Sequence, residues 1–156
     1  MKHFTLGMIA AAAVAFTPLA SAESDIEDAI EYRQSMFTGM AWHLGPMADM
    51  ARGDEAFERG QFEYHAKQLY QLSLMPWDGF VEGSYKDGEH GDLTSAIGDI
   101  AHQRAIFERM GASLATEAGV LTQVAADESA SERAVIQQFA RTAQTCKSCH
   151  DDYRQR

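Results

Sequence analysis

The sequence predicts an all-α protein, an antiparallel four-helix bundle, from three observations. Apolar residues recur at helical spacing in four separate stretches. No stretch shows convincing strand alternation, and no internal repeat or low-complexity linker divides the chain. Four amphipathic helices in one chain bury their apolar stripes against one another, which is the logic of a bundle.

The ends bound the domain. The chain has 156 residues, opens Met1-Lys2-His3, runs through an apolar stretch at 6–19 and reaches Ala20-Ser21-Ala22 ahead of acidic Glu23. That is the layout of a secretory signal peptide, and its apolar part is shorter than the roughly 20 residues a membrane span needs. The expectation is a signal peptide at 1–22, cut after Ala22, and one domain at 23–156 exported to the periplasm. An uncleaved anchor is the competing reading, and no stop-transfer flank supports it. The remaining 134 residues suffice for one domain with a real core. The chain carries 13 Lys+Arg against 23 Asp+Glu, and loss of Lys2 leaves 12 against 23, a formal charge of −11. Such a surface repels nucleic acid and anionic lipid, so neither is expected as a partner.

The first helix, A, carries Ile26, Ala29, Ile30, Phe37, Met40, Leu44, Met47 and Ala51 on one side and stops near Gly53. Asp54 is the candidate cap of helix B, which presents Phe57, Phe62, Ala66, Leu69 and Leu72 and ends before Pro76. The glycine-rich stretch 76–91, with Trp77 and Phe80 flanking Gly79, has no helical period and reads as a long ordered loop. Helix C restarts at Asp92, carries Ile97, Ile100, Phe107, Met110, Leu114, Leu121 and Val124, and runs to the 118–125 region, with Gly111 and Gly119 weakening its interior. Ser129 is the candidate cap of helix D, which sets Ala134, Val135, Phe139, Ala143, Cys146, Cys149, His150 and Tyr153 on one face.

The only two cysteines stand in Cys146-Lys147-Ser148-Cys149-His150. Cys-x-x-Cys-His is the attachment motif of haem c. On a helix the three side chains share one face, so two thiols can form thioethers with the haem vinyl groups while the imidazole reaches the iron. The expected cofactor is one covalent haem c, with His150 as the metal ligand. Three other readings compete. A thioredoxin-like dithiol sits at a helix N-terminus, usually after a strand, and this pair sits late in a helix. A zinc site would have to borrow His43, His65 or His102, whose spacing does not encourage it. A plain disulfide suits an oxidising compartment but leaves His150 unexplained.

Further blocks are Tyr32-Arg33-Gln34-Ser35, His43 with Gly45-Pro46-Met47, Leu74-Met75-Pro76-Trp77, and the continuation of the haem motif through Tyr153-Arg154. With the motif near the C-terminus, they resemble cytochrome c′, the class II c-type cytochromes, over nearly the whole mature chain. The resemblance implies a four-helix bundle in which Arg33 and Gln34 contact the haem propionates and Arg154 lies one turn beyond His150 on the proximal side. It also implies that Phe37, four residues after Arg33, faces the open side of the iron, where low-spin relatives carry a methionine ligand. Phenylalanine has no lone pair to donate, so the expectation is a high-spin, five-coordinate iron under an apolar cover.

One residue is about 100° round a helix, so Met36 should face away from a haem that Phe37 covers. Met40 lies on Phe37's side a turn later, and both methionines read as packing residues. His43 falls about 240° round from Phe37 and reads as structural or surface, as do His65, His90 and His102. The implied ligands are small diatomic gases, NO and CO; bound O₂ would lack a stabilising hydrogen-bond donor. The reading is a gas-binding or electron-carrying protein rather than an enzyme, with no catalytic triad, carboxylate pair or substrate pocket in view. The alternative is a low-spin electron carrier with Met36 or Met40 on the iron. A redox partner protein is not specified by the sequence. A homodimer through helices A and B is the assembly the resemblance raises, though these helices show no outward apolar stripe separable from the core one. Three departures stand out: a connection at 125–133 that is long for the family, no aromatic near Thr94 in helix C, and an 80–91 loop expected to line the haem edge in which Ser84 and Tyr85 match no motif.

Overall fold

The computed structural model describes residues 19–155, with side chains from Asp25 onward, so most of the expected signal peptide lies outside the described residues. Four long helices make the frame: α1 (Leu19–Arg52), α2 (Arg59–Ser73), α4 (Arg104–Ala126) and α5 (Glu132–Tyr153). A short α3 (Asp99–His102) precedes α4, and two 3₁₀ turns occupy Pro76–Gly79 and Gly91–Leu93. Among the described residues there is no strand, only an isolated bridge between Ala96 and Arg154. The all-α four-helix bundle is therefore the observed architecture. No described helix is long and apolar enough to cross a membrane.

Helix α1 ends where the sequence indicates. Gly53 takes φ +77°, and the bonds from Gly53 N to Met50 O (3.2 Å) and Asp54 N to Asp49 O (2.9 Å) form a Schellman closure. Asp54 is thereby drawn into the end of α1, so it does not cap α2. Its carboxylate accepts from Arg52 Nε at 2.8 Å, and α2 starts five residues later behind Glu58, which makes no side-chain cap.

Helix C also starts later than expected. Asp92 lies in the 3₁₀ turn Gly91–Leu93, Thr94 is extended, and helix begins at Asp99, breaks at Gln103 and resumes at Arg104. Tertiary bonds decide this: Ile97 N donates to Tyr153 O (3.1 Å), Gln155 N to Ser95 O (2.8 Å) and Lys86 N to Ala96 O (2.7 Å). Residues 94–98 are held beside the end of α5 and cannot coil. Thr94 thus belongs to the loop, which removes the reason to expect an aromatic there. Gly111 stays inside α4 because a Cβ at that position would lie 2.9 Å from the Trp77 indole.

Ser131, not Ser129, caps α5, with its side chain accepting from Ala134 N at 3.2 Å. Ser129 instead donates through its backbone N–H and hydroxyl to Asp127 Oδ1. The α4–α5 connection is shorter than the 125–133 expectation because both helices run further into it. Arg59, at the start of α2, pins it by donating to the carbonyls of Ala125, Asp127 and Ala130.

Helices α1 and α2, α2 and α4, and α4 and α5 pack along their lengths, whereas α1 and α5 meet only briefly. The main core, around Met47, Phe62, Leu69, Leu121 and Val135, fills one end of the bundle. A second cluster of Phe80, Tyr85, Ile100, Phe107 and Tyr153 fills the other, and Phe37 and Trp77 pack against both. The gap between α1 and α5 is where the functional site lies.

Candidate functional site

Helix α5 brings Cys146, Cys149 and His150 together on the wall of a cavity of about 500 Å³. Its hydrophobic face continues to Val135 and Phe139 in the core, which fixes the rotation of the helix and aims the three side chains at the gap. Helix α1 supplies Arg33, Gln34, Phe37 and Met40 from the opposite side. Trp77, Phe80, Phe107 and Tyr153 add aromatic rings to otherwise mostly aliphatic apolar walls, and Thr94, Ser95 and Ala96 form one edge. The size is that of a small-molecule or cofactor pocket.

The two thiols are not joined to each other. Burial pushes the Cys146 thiol up, and burial, then the neighbouring Cys146 and Asp152, push Cys149 up to about 11. Both stay protonated at neutral pH, the opposite of the activated thiolate that a dithiol oxidoreductase needs. His150 is shifted the other way, below the ordinary histidine value, first by burial and then by the positive charge of Arg154. Its imidazole is neutral at neutral pH, the form that ligates metals. The histidines a zinc site would have borrowed are elsewhere: His43 Nδ1 lies 2.9 Å from His65 Nδ1, and His102 is exposed. No group of three or more His, Cys, Asp or Glu side chains positioned for a metal ion occurs among the described residues.

Arg33 is almost wholly buried and borders the cavity. Burial lowers its pKa to about 10, with Tyr85 acting weakly in the other direction, so it remains a cation. Its hydrogen-bond partners are Gly79 O, Ser84 Oγ and O, and Thr94 Oγ1, none of them an anion. A buried cation without a carboxylate is costly unless the occupant of the adjacent cavity brings negative charge. The terminal nitrogens of Arg33, expected to contact the propionates, are committed to the loop instead. Gln34 Nε2 donates to Leu93 O at 2.6 Å on the cavity rim.

Phe37 borders the cavity and meets Trp77 and Phe80 edge-on, each at 6.2 Å between centroids. Met36 is half-buried and off the cavity wall, and Met40 is buried on it, as helical geometry required. Arg154 borders the cavity too, and its backbone N–H closes α5 onto His150 O at 3.2 Å. Ser84 and Tyr85 are not on the wall; the loop reaches the cavity through Phe80 and 94–96 instead. Sequence reasoning missed Thr94, Ser95 and Ala96 because it placed them at the start of helix C.

Two thiols and a neutral imidazole on one helical face, an apolar cavity with several aromatic rings and a buried cation without a partner anion together fit a haem bearing carboxylates. The comparisons with known proteins decide the family: the model described as cytochrome C′ matches residues 28–154. The chain belongs to the cytochrome c′ family. It is 38% identical over 128 residues to cytochrome c′ of Halomonas halodenitrificans, covering 82% of this chain and 96% of that one. The solved structure of cytochrome c prime from Shewanella frigidimarina superposes with a TM-score of 0.76 at 33% identity, covering 84% of this chain and 97% of that chain. A nitric oxide complex of a leucine-to-alanine mutant of cytochrome c prime from Alcaligenes xylosoxidans matches with a TM-score of 0.72 at 28% identity, over 84% of this chain and 96% of that one. Membership in the cytochrome c′ family makes the cofactor haem c, and the chain's two cysteines are consistent with its covalent attachment.

Proposed function

We propose that the protein is a periplasmic, high-spin haem c protein that binds small diatomic gases, NO and CO, with electron transfer as its companion activity. In this reading Cys146 and Cys149 would carry the two thioethers, His150 would ligate the iron, and Phe37 would cover the opposite side of the cavity. The bound haem supplies the gas-binding and one-electron chemistry. The chain's residues orient and restrict it. His150 stays neutral, Arg154 lies beside it on the same wall, and buried Arg33 supplies the positive charge, with Gln34 on the rim beside it, at the edge that would receive the propionates.

The observation that carries the reading is Phe37 on the cavity wall, packed edge-on against the stacked rings of Trp77 and Phe80. An aromatic hydrocarbon there donates no lone pair and excludes bulky ligands, leaving room for a diatomic only if the ring moves. The nitric oxide complex of the Alcaligenes xylosoxidans relative supports the choice of ligand. Met40 on the same wall favours a second reading, a low-spin carrier with a thioether ligand, although Met40 is only 3% exposed and held in the main core.

An absorption spectrum of the reduced protein, before and after CO, separates the two. Broad high-spin bands that shift with CO are the expected result. Sharp, split bands indifferent to CO would replace gas binding with the thioether-ligated carrier. Export through the 1–22 signal peptide belongs to the same proposal, as does a homodimer through α1 and α2, which is supported by Trp42 (76% exposed) and Tyr64 (53% exposed) on those helices.

A further inference from the structure

Arg33 is 2% exposed and reaches loop residues 46 to 61 positions away. Nη1 donates to Gly79 O (2.8 Å) and Ser84 Oγ (2.7 Å), while Nη2 donates to Thr94 Oγ1 (2.9 Å) and Ser84 O. The four terminal N–H groups therefore gather three separated points of one loop around a single guanidinium. The loop comes close enough because residue 79 is glycine: a Cβ there would lie 2.7 Å from Ala29 O and 2.9 Å from Arg33 Cβ. The guanidinium also lies over the Phe80 ring, 4.5 Å from its centroid. Phe80 is held a second time through its carbonyl, which accepts from Arg104 Nη1 at 2.6 Å. Its ring abuts Phe107 at 4.6 Å and Phe37 at 6.2 Å.

We infer that Arg33 is a positioning residue for the distal wall: by clamping the 79–94 loop onto α1 it fixes Phe80 against Phe37 and so sets how readily a diatomic ligand enters. This role is additional to any compensation of charge on the cofactor. It needs a planar, multiply donating cation that can stack on a ring, which lysine is not. The ordering of the loop stands on the geometry alone, and the effect on ligand entry rests on the gas-binding reading above.

The test uses the haem-loaded Arg33→Lys protein and two measurements. Hydrogen exchange across 80–97 should quicken by about tenfold or more, the scale of losing a charge-assisted hydrogen bond, with α2 and α4 unchanged. The CO association rate of the reduced protein should rise several-fold, and Arg33→Lys combined with Phe80→Ala should be no faster than Phe80→Ala alone, because both act through the same ring. Thr94→Val, which removes one acceptor, should move both readouts in the same direction by less. It carries the test if Arg33→Lys does not mature.

Unchanged exchange overturns the clamp. Faster exchange with an unchanged CO rate, or full additivity with Phe80→Ala, overturns the link to the distal wall. A wild-type protein that does not respond to CO overturns the gas-binding reading and with it that link, while the exchange result still decides the clamp.

Discussion

The Phe37 ring meets the Phe80 ring edge-on at 6.2 Å between centroids, and both rings border the cavity that Cys146, Cys149 and His150 border from α5. Two side chains 43 positions apart thus form one aromatic wall facing the haem motif. Shortening Phe37 opens that wall without touching the attachment residues. Phe37→Ala should raise the CO association rate about tenfold, equivalent to lowering the barrier by about 1.4 kcal/mol. Flash photolysis of the reduced protein checks it, and an unchanged rate would remove Phe37 from the entry path.

The thiols should be poor nucleophiles before haem is attached. Cys149 is pushed up to about 11 from 9.0, and Cys146 is raised as well, so little thiolate exists at neutral pH. The folded apoprotein should alkylate at about pH 8 more than tenfold more slowly than a cysteine in an unstructured peptide. Rapid alkylation would revive the dithiol reading.

The His43–His65 pair gives a pH dependence of known sign. Burial, and secondarily His43, hold His65 below its ordinary value of 6.5. The folded protein prefers neutral His65, and between the two values the unfolded chain binds a proton that the folded chain does not. This stability is complete above pH 6.5 and is lost as pH falls through the lower folded value. His65→Gln should therefore reduce the fall in Tm between about pH 7.5 and about pH 5. An equal fall in the wild type and the variant would place the acid sensitivity elsewhere.

The cap of α5 can be tested by contrast. Ser131 satisfies the Ala134 N–H, whereas Ser129 only closes a local turn on Asp127. Ser131→Ala should cost about 1 kcal/mol and Ser129→Ala less than about 0.5 kcal/mol in denaturant unfolding. Equal costs would contradict the assignment.

The helices were legible because their apolar periodicity is local, and the site was legible wherever it sits on a helix. Cys146, Cys149, His150 and Phe37 all follow from spacing within α5 or from the family pattern in α1. The start of α4 was not legible: 94–98 follows a helical pattern but is captured by hydrogen bonds to Tyr153 and Gln155, which lie far along the chain. The same long-range capture hid Thr94, Ser95 and Ala96 from the site. Arg33 shows the limit most clearly. Its presence beside the cavity was expected, but its four loop acceptors are spread across positions 79–94 and share no motif. The two helix caps were misassigned for a simpler reason, since several Asp and Ser residues compete at each boundary and only the closing hydrogen bonds choose among them.

The central claim is that Phe37 occupies the position that decides what binds opposite His150. The absorption spectrum of the reduced, haem-loaded Phe37→Met protein tests it most directly. A thioether placed at the open face should convert broad high-spin bands into sharp, split low-spin bands and abolish the response to CO. A spectrum and CO response identical to the wild type would show that residue 37 does not face the iron.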